Sequence, residues 1–147
     1  VDIGYVGEIT SIDTSIIVDL LDRGYVPVVS PIGMGEHGES YNINADYVAA
    51  EIAGALHAEK LLLLTDVEGV YRNFADKTSF ISMLYMEEAK DYIRSGVIAG
   101  GMIPKVEACL RALEAGAHKT HIIDGRLVHS IILEIFTSRG IGTMVLP

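Results

Sequence analysis

The chain has no tryptophan, a single cysteine, and only 11 lysine and arginine residues against 20 aspartates and glutamates. Each shortage removes a class of function. Cys109 alone forms no internal disulfide, and no thiol or histidine cluster stands at zinc-ligand spacing, which fits a reducing compartment with the cytoplasm as default. The formal charge is -9 and the basic residues are scattered, so the electrostatic footprint of a nucleic-acid binder is missing. Mean hydropathy is high at +0.36. Even so, apolar runs such as Leu61 to Leu64 and Ile131 to Leu133 stop far short of the roughly 20 residues that cross a bilayer, and a soluble chain without a membrane partner is expected. Val1 to Thr10 show no basic segment followed by an apolar core, so no secretory signal is visible. The chain opens at Val1 instead of methionine, as a fragment or a processed product would.

What is present is a 147-residue chain, half of it apolar, enough for one well-packed domain over residues 1–147. Helix and strand patterns alternate along it. Thr14 is placed to cap a helix with Ile16, Ile17, Leu20 and Leu21 on one face, stopped by Gly24. Val26, Val28 and Val29 read as a strand buried on both faces. Asn44 then caps a helix carrying Val48, Ala49, Ile52, Ala53 and Leu56, and Leu61 to Leu64 is the next buried strand. A polar stretch from Thr65 to Thr78 leads to a more exposed helix, Met86 to Arg94, closed by Gly96. Pro104 suits the first turn of a helix with Val106, Cys109, Leu110 and Leu113 on one stripe, ending at Gly116. A strand from Thr120 to Asp124, a helix from about Val128 to Phe136 and a strand from Thr143 to Leu146 complete the order. Gly4 to Ile12 and Gly33 to Ile43 read as attached hairpins. The alternation implies an α/β fold, a three-layer αβα sandwich around a mainly parallel sheet.

Several motifs carry chemistry. Gly33, Gly35 and Gly38 spell GxGxxG, but no helix opens behind them and Glu36 and Glu39 would repel a pyrophosphate, so a hairpin turn is the better reading. Gly100 and Gly101 let backbone N–H groups approach a ligand closely, and the helix behind them directs its positive end to the same place. Lys105 in that first turn is electrostatically misplaced unless an anion compensates; the alternative is a solvated lysine paired with Glu107 or Glu114. Asn44 and Asp46 have an ordinary explanation as cap and dipole complement, whereas Asn42 precedes the cap and has an amide free to bind a small polar ligand. Asp66 follows a buried strand, where α/β sheets hold ribose or phosphate, or it simply forms the turn before Gly69. His118, His121 and His129 have no ligand-spaced partners and read as surface or structural, and Cys109 reads as core.

In order, Asn42-Ile43-Asn44-Ala45-Asp46, Ala58-Glu59-Lys60-Leu61, Leu64-Thr65-Asp66-Val67-Glu68-Gly69-Val70, Gly100-Gly101-Met102-Ile103-Pro104-Lys105 and Gly140-Ile141-Gly142-Thr143-Met144 closely resemble the N-acetylglutamate kinases, a branch of the amino acid kinase family. The likeness spans nearly the whole chain, but the family's N-terminal half, with its glycine-rich phosphate loops and a catalytic lysine, has no counterpart. The resemblance implies the C-terminal, nucleotide-binding half of a transferase that moves the γ-phosphoryl of ATP, carried with Mg2+, onto the side-chain carboxylate of N-acetyl-L-glutamate in arginine biosynthesis. On its own such a half is expected to turn over little or nothing.

By that resemblance Lys105 stabilises the moving phosphoryl group, Asp46 orients the catalytic lysines and Asn42 holds the acetylglutamate backbone. Thr65, Asp66, Val67, Glu68, Gly69, Val70 and Tyr71, with Val97, Ile98, Ala99, Gly100, Gly101 and Met102, match the nucleotide-binding segments. His121, Glu134, Gly140 and Gly142 match positions near an arginine effector site. No protein-held metal is expected, and the whole enzyme is expected to be a homo-oligomer. Competing readings are another family member acting on glutamate, aspartate or uridylate, a non-catalytic arginine-binding module, and a stable domain fragment without ligand affinity.

Overall fold

The computed structural model describes residues 6–138 and 140–147. In chain order its elements are α1 (Ser15–Asp22), β1 (Ile32–Met34), β2 (Ser40–Asn42), α2 (Ala45–Ala55), β3 (Leu61–Thr65), β4 (Val70–Tyr71), β5 (Phe80–Ile81), β6 (Met83–Tyr85), α3 (Met86–Arg94), α4 (Met102–Glu114), β7 (Thr120–Asp124), α5 (Ser130–Phe136) and β8 (Thr143–Leu146). The main sheet has the order β3-β7-β8-β6. β3 pairs with β7 and β6 with β8 in parallel, while β7 and β8 are antiparallel, so the sheet is mainly parallel as the alternation implies. Its core is built from Leu63, Leu84, Ile122 and Val145 on the strands and Ala50, Ala53, Val106, Cys109 and Leu113 on the helices. Among the described residues no helix is long and apolar enough to cross a membrane.

α2 and α4 lie side by side and run the same way. Asp46 meets Lys105 at their first turns, Tyr47 donates to Glu107 one step on, Glu51 faces Arg111, and Gly54 lies against Ala115 at the far ends. Small residues permit the close approach. A Cβ on Gly54 would sit 2.2 Å from the Ala115 Cβ. Alanine ordinarily gains about 1 kcal/mol over glycine in a helix, but an overpacked contact costs about 1–3 kcal/mol, and here neither partner is a flexible side-chain end. Gly54→Ala is therefore expected to lower the urea midpoint; an unchanged or raised midpoint would show that the helices yield freely.

Four expectations need correction. Residues 25–30 form no strand: Val26 and Val28 are 87% and 96% exposed. The segment has the composition of a doubly buried strand, but no described strand lies beside it to take its backbone hydrogen bonds or cover its faces. α1 likewise buries none of its residues, leaving Ile16 and Leu21 exposed. In the expected first hairpin, Gly4 lies outside the described residues; the described part only follows β2, through a parallel bridge from Val6 to Asn42 and a 3.1 Å bond from the Gly7 N–H to the Asn42 carbonyl. Thr14 precedes α1 without a side-chain cap, a role taken by Asp13, which accepts from the Ser15 N–H. α5 starts at Ser130 because His129 is left-handed, with φ 61°. The hairpin at Gly33 to Ile43 is present as β1 and β2.

Candidate active site

β3 ends at Thr65, and a cavity of about 440 Å³ opens there, lined by Thr65, Asp66 and Val67. This is the carboxyl edge of the strand, where open α/β sheets place ligands. Gly69, Val70 and Tyr71 form a second wall. They are held to the sheet by Thr143, whose hydroxyl accepts from the Val70 N–H at 2.8 Å and donates to the Ile81 carbonyl at 2.6 Å. Gly69 has φ +152°, and a Cβ there would strike the Thr143 hydroxyl at 2.6 Å. Val97, Ile98 and Ala99 line it as well, and Gly101, Met102 and Lys105 contribute from the start of α4. Gly100 has φ +59°, with open space where side chains at Gly100 and Gly101 would be, so their backbone remains approachable.

Lys105 pairs with neither Glu107 nor Glu114: Glu107 accepts from Tyr47 and Glu114 pairs with Lys90. Its Nζ donates to Asp46 Oδ2 at 3.1 Å, with both side chains about a quarter exposed. Asn44 Oδ1 caps α2 by accepting from the Asp46 and Tyr47 N–H groups, at 2.9 and 3.3 Å. Two helix N-termini thus converge where the lysine stands. Each carries roughly half a positive charge, so with the ammonium the place is electropositive, offset in part by Asp46 and, on the same cavity's wall, by Asp66. Asp46 reaches the cavity through Lys105; Asn42 stands exposed at the end of β2 and does not line it. Glu68 faces away, to a neighbouring cleft, where Tyr71 and Lys77 hydrogen-bond to it and in that order hold its carboxyl below the usual range.

The remaining candidates converge elsewhere. His121 on β7 and Glu134 on α5 are buried, with Nδ1 and Oε1 2.6 Å apart. Glu134 Oε2 also accepts from the backbone N–H groups of Ile141 and Gly142, at 2.6 and 3.0 Å. A Cβ on Gly140, at φ +64°, would approach that oxygen to 2.9 Å, and one on Gly142 would meet the Ile122 carbonyl at 2.3 Å. The glycines are required by the turn that wraps this carboxylate, and Glu134 is not a solvated helix residue. Burial pushes the Cys109 thiol up to about 12, which removes it as a nucleophile. Among the described residues no three metal-ligating side chains converge.

A model of the amino acid kinase family matches residues 1–124. The chain belongs to this family. It is 57% identical to an acetylglutamate kinase of Heliobacterium modesticaldum and 58% identical to one of Moorella thermoacetica, in each case over 99% of this chain and 49% of the relative. The chain thus spans about half the length of the curated relatives it matches. Among solved structures it superposes with TM-score 0.88 and 29% identity on N-acetylglutamate synthase from Neisseria gonorrhoeae complexed with coenzyme A and L-arginine, over 99% of this chain and 33% of that one. The cavity joins a lysine end at Lys105 to otherwise mostly apolar walls. Phe74 is the lining residue that the motifs did not single out. Phe74 shares the polar 65–78 stretch with one other aromatic, Tyr71, a signal present in the sequence but carrying no period; the Thr143 contact spans 73 residues.

Proposed function

We propose that this chain is the C-terminal, nucleotide-binding half of a cytoplasmic, homo-oligomeric acetylglutamate kinase, and that the cavity beside Lys105 holds ATP. The observation that carries this reading is the ammonium group of Lys105 set where two helix N-termini already concentrate positive potential. A triphosphate offsets that potential. In the reaction a side-chain carboxylate oxygen of N-acetyl-L-glutamate attacks the γ-phosphorus, the bond from that phosphorus to the β,γ-bridging oxygen breaks, and ADP leaves with the electron pair. The products are an acyl phosphate and ADP, with no covalent enzyme intermediate. Lys105 neutralises charge on the moving phosphoryl group, and Asp46 fixes the direction of Lys105. Asn42 holds the acceptor backbone, and the residue 65–71 and 97–102 segments hold the nucleotide. Magnesium would arrive with ATP and neutralise charge on its phosphates.

The exposed Val26, Val28 and Ile16 support the half-enzyme reading, because they present an apolar surface of the kind that the rest of a polypeptide of twice this length covers. The test is acceptor-dependent phosphoryl transfer by the complete polypeptide carrying this chain, with hydroxylamine trapping the acyl phosphate. Hydroxamate should form with N-acetyl-L-glutamate and ATP. Transfer only to glutamate, aspartate or uridylate would replace the acceptor while keeping the family.

The likeness to a synthase complexed with L-arginine supports arginine as an effector held near His121, Glu134, Gly140 and Gly142. Because Glu134 already accepts from two backbone N–H groups and contacts His121, arginine binds by engaging the rim of this turn or by opening it. Millimolar arginine should raise the melting temperature of the complete polypeptide and lower that gain in Gly140→Ala. No shift with arginine would remove it as a ligand.

A further inference from the structure

Phe74 is one of three phenylalanines in the chain and is 65% exposed, yet the loop that carries it is firmly built. The Arg72 N–H donates to the Ser79 carbonyl at 3.1 Å, the Asn73 N–H to Ser79 Oγ at 3.0 Å, and Asp76 Oδ1 accepts from both the N–H and the hydroxyl of Thr78. The ring touches Tyr71 edge-on, with centroids 5.8 Å apart at 83°, and Lys77 Nζ stands 5.1 Å from its centroid. Such a loop presents a large apolar ring to the cavity, where covering it would favour the apolar part of a ligand. The same ring lines the cavity that Lys105 lines, together with Val97, Ile98 and Ala99. A ligand filling this space is planar and apolar at one end and polyanionic at the other.

We propose that Phe74 is the stacking platform for the nucleobase and sets the preference for the base, a role that rests on the nucleotide reading of this cavity. The loop that carries the ring is ordered before binding, so little backbone order is lost when a base stacks on it. A purine covers more of the ring than a pyrimidine, so ATP binds better than CTP. Removing an aromatic platform weakens binding of its base by roughly 5- to 100-fold.

The experiment is calorimetric titration of the complete polypeptide, parent and variants, with Mg-ATP, Mg-CTP and inorganic tripolyphosphate. Phe74→Ala should lose roughly 5- to 100-fold for ATP and less for CTP, and leave tripolyphosphate within twofold of the parent. Phe74→Tyr should restore ATP affinity, and Phe74→Trp, which adds the one tryptophan of this chain, should change emission with ATP but not with tripolyphosphate. Unchanged ATP affinity in Phe74→Ala, or equal losses for ATP and tripolyphosphate, would overturn the platform while leaving the nucleotide site standing. A parent that binds none of the three would overturn both.

Discussion

Replacing Lys105 with alanine should lower kcat for phosphoryl transfer by about 10²- to 10³-fold in the complete polypeptide, the usual loss when one charge-stabilising donor is removed from a transition state. The structure separates this effect from destabilisation. The Lys105–Asp46 pair is part-buried, but Lys105 stands at the positive ends of two helices, so its removal relieves repulsion as it breaks the pair and changes stability little. Turnover should therefore collapse while the urea midpoint barely moves. Lys105→Arg should recover only part of the rate, because a planar guanidinium does not place its donors where a compact ammonium does. Steady-state kinetics beside urea titrations check this. A variant that keeps its rate, or loses rate and stability together, would reduce Lys105 to a structural pair.

Glu134 should show the opposite pattern, a large loss of stability. Alanine there leaves the part-buried Ile141 N–H, the buried Gly142 N–H and the ring of His121 without their acceptor, at a cost of about 3–5 kcal/mol. The pH dependence has a definite sign. Burial pushes the Glu134 carboxyl up, but the Ile141 N–H, His121 and the Gly142 N–H together pull it below its ordinary value of 4.5. A carboxyl depressed in the folded state contributes stability that is complete above the unfolded value and is lost as pH falls through the folded one. The urea midpoint of the parent should thus fall on acidification below about pH 4.5, and Glu134→Gln should flatten that fall. A parallel acid decline in both proteins would show that other carboxylates govern it.

Local signals account for what was legible. The helix at Met86–Arg94 and the strand at Thr120–Asp124 stand where the pattern placed them, because glycines at 96 and 116 end the helices on the side where φ becomes positive. Signals that depend on distant chain were not legible. Val26, Val28 and Val29 have the composition of a buried strand, yet a strand exists only beside a partner. β4 and β5 have two residues each, too few for any period to register. The partner of Lys105 lies 59 residues away on a parallel helix, whereas spacing along the helix offers only Glu107 and Glu114. His121 and Glu134 meet across 13 residues and two elements, and neither position alone announces a buried carboxylate.

The most direct test is a crystal structure of the complete polypeptide with magnesium and a non-hydrolysable ATP analogue. The γ-phosphate is expected against Lys105 and the first turn of α4, with the base on Phe74. A nucleotide bound elsewhere, with Lys105 still engaged by Asp46 alone, would contradict that placement.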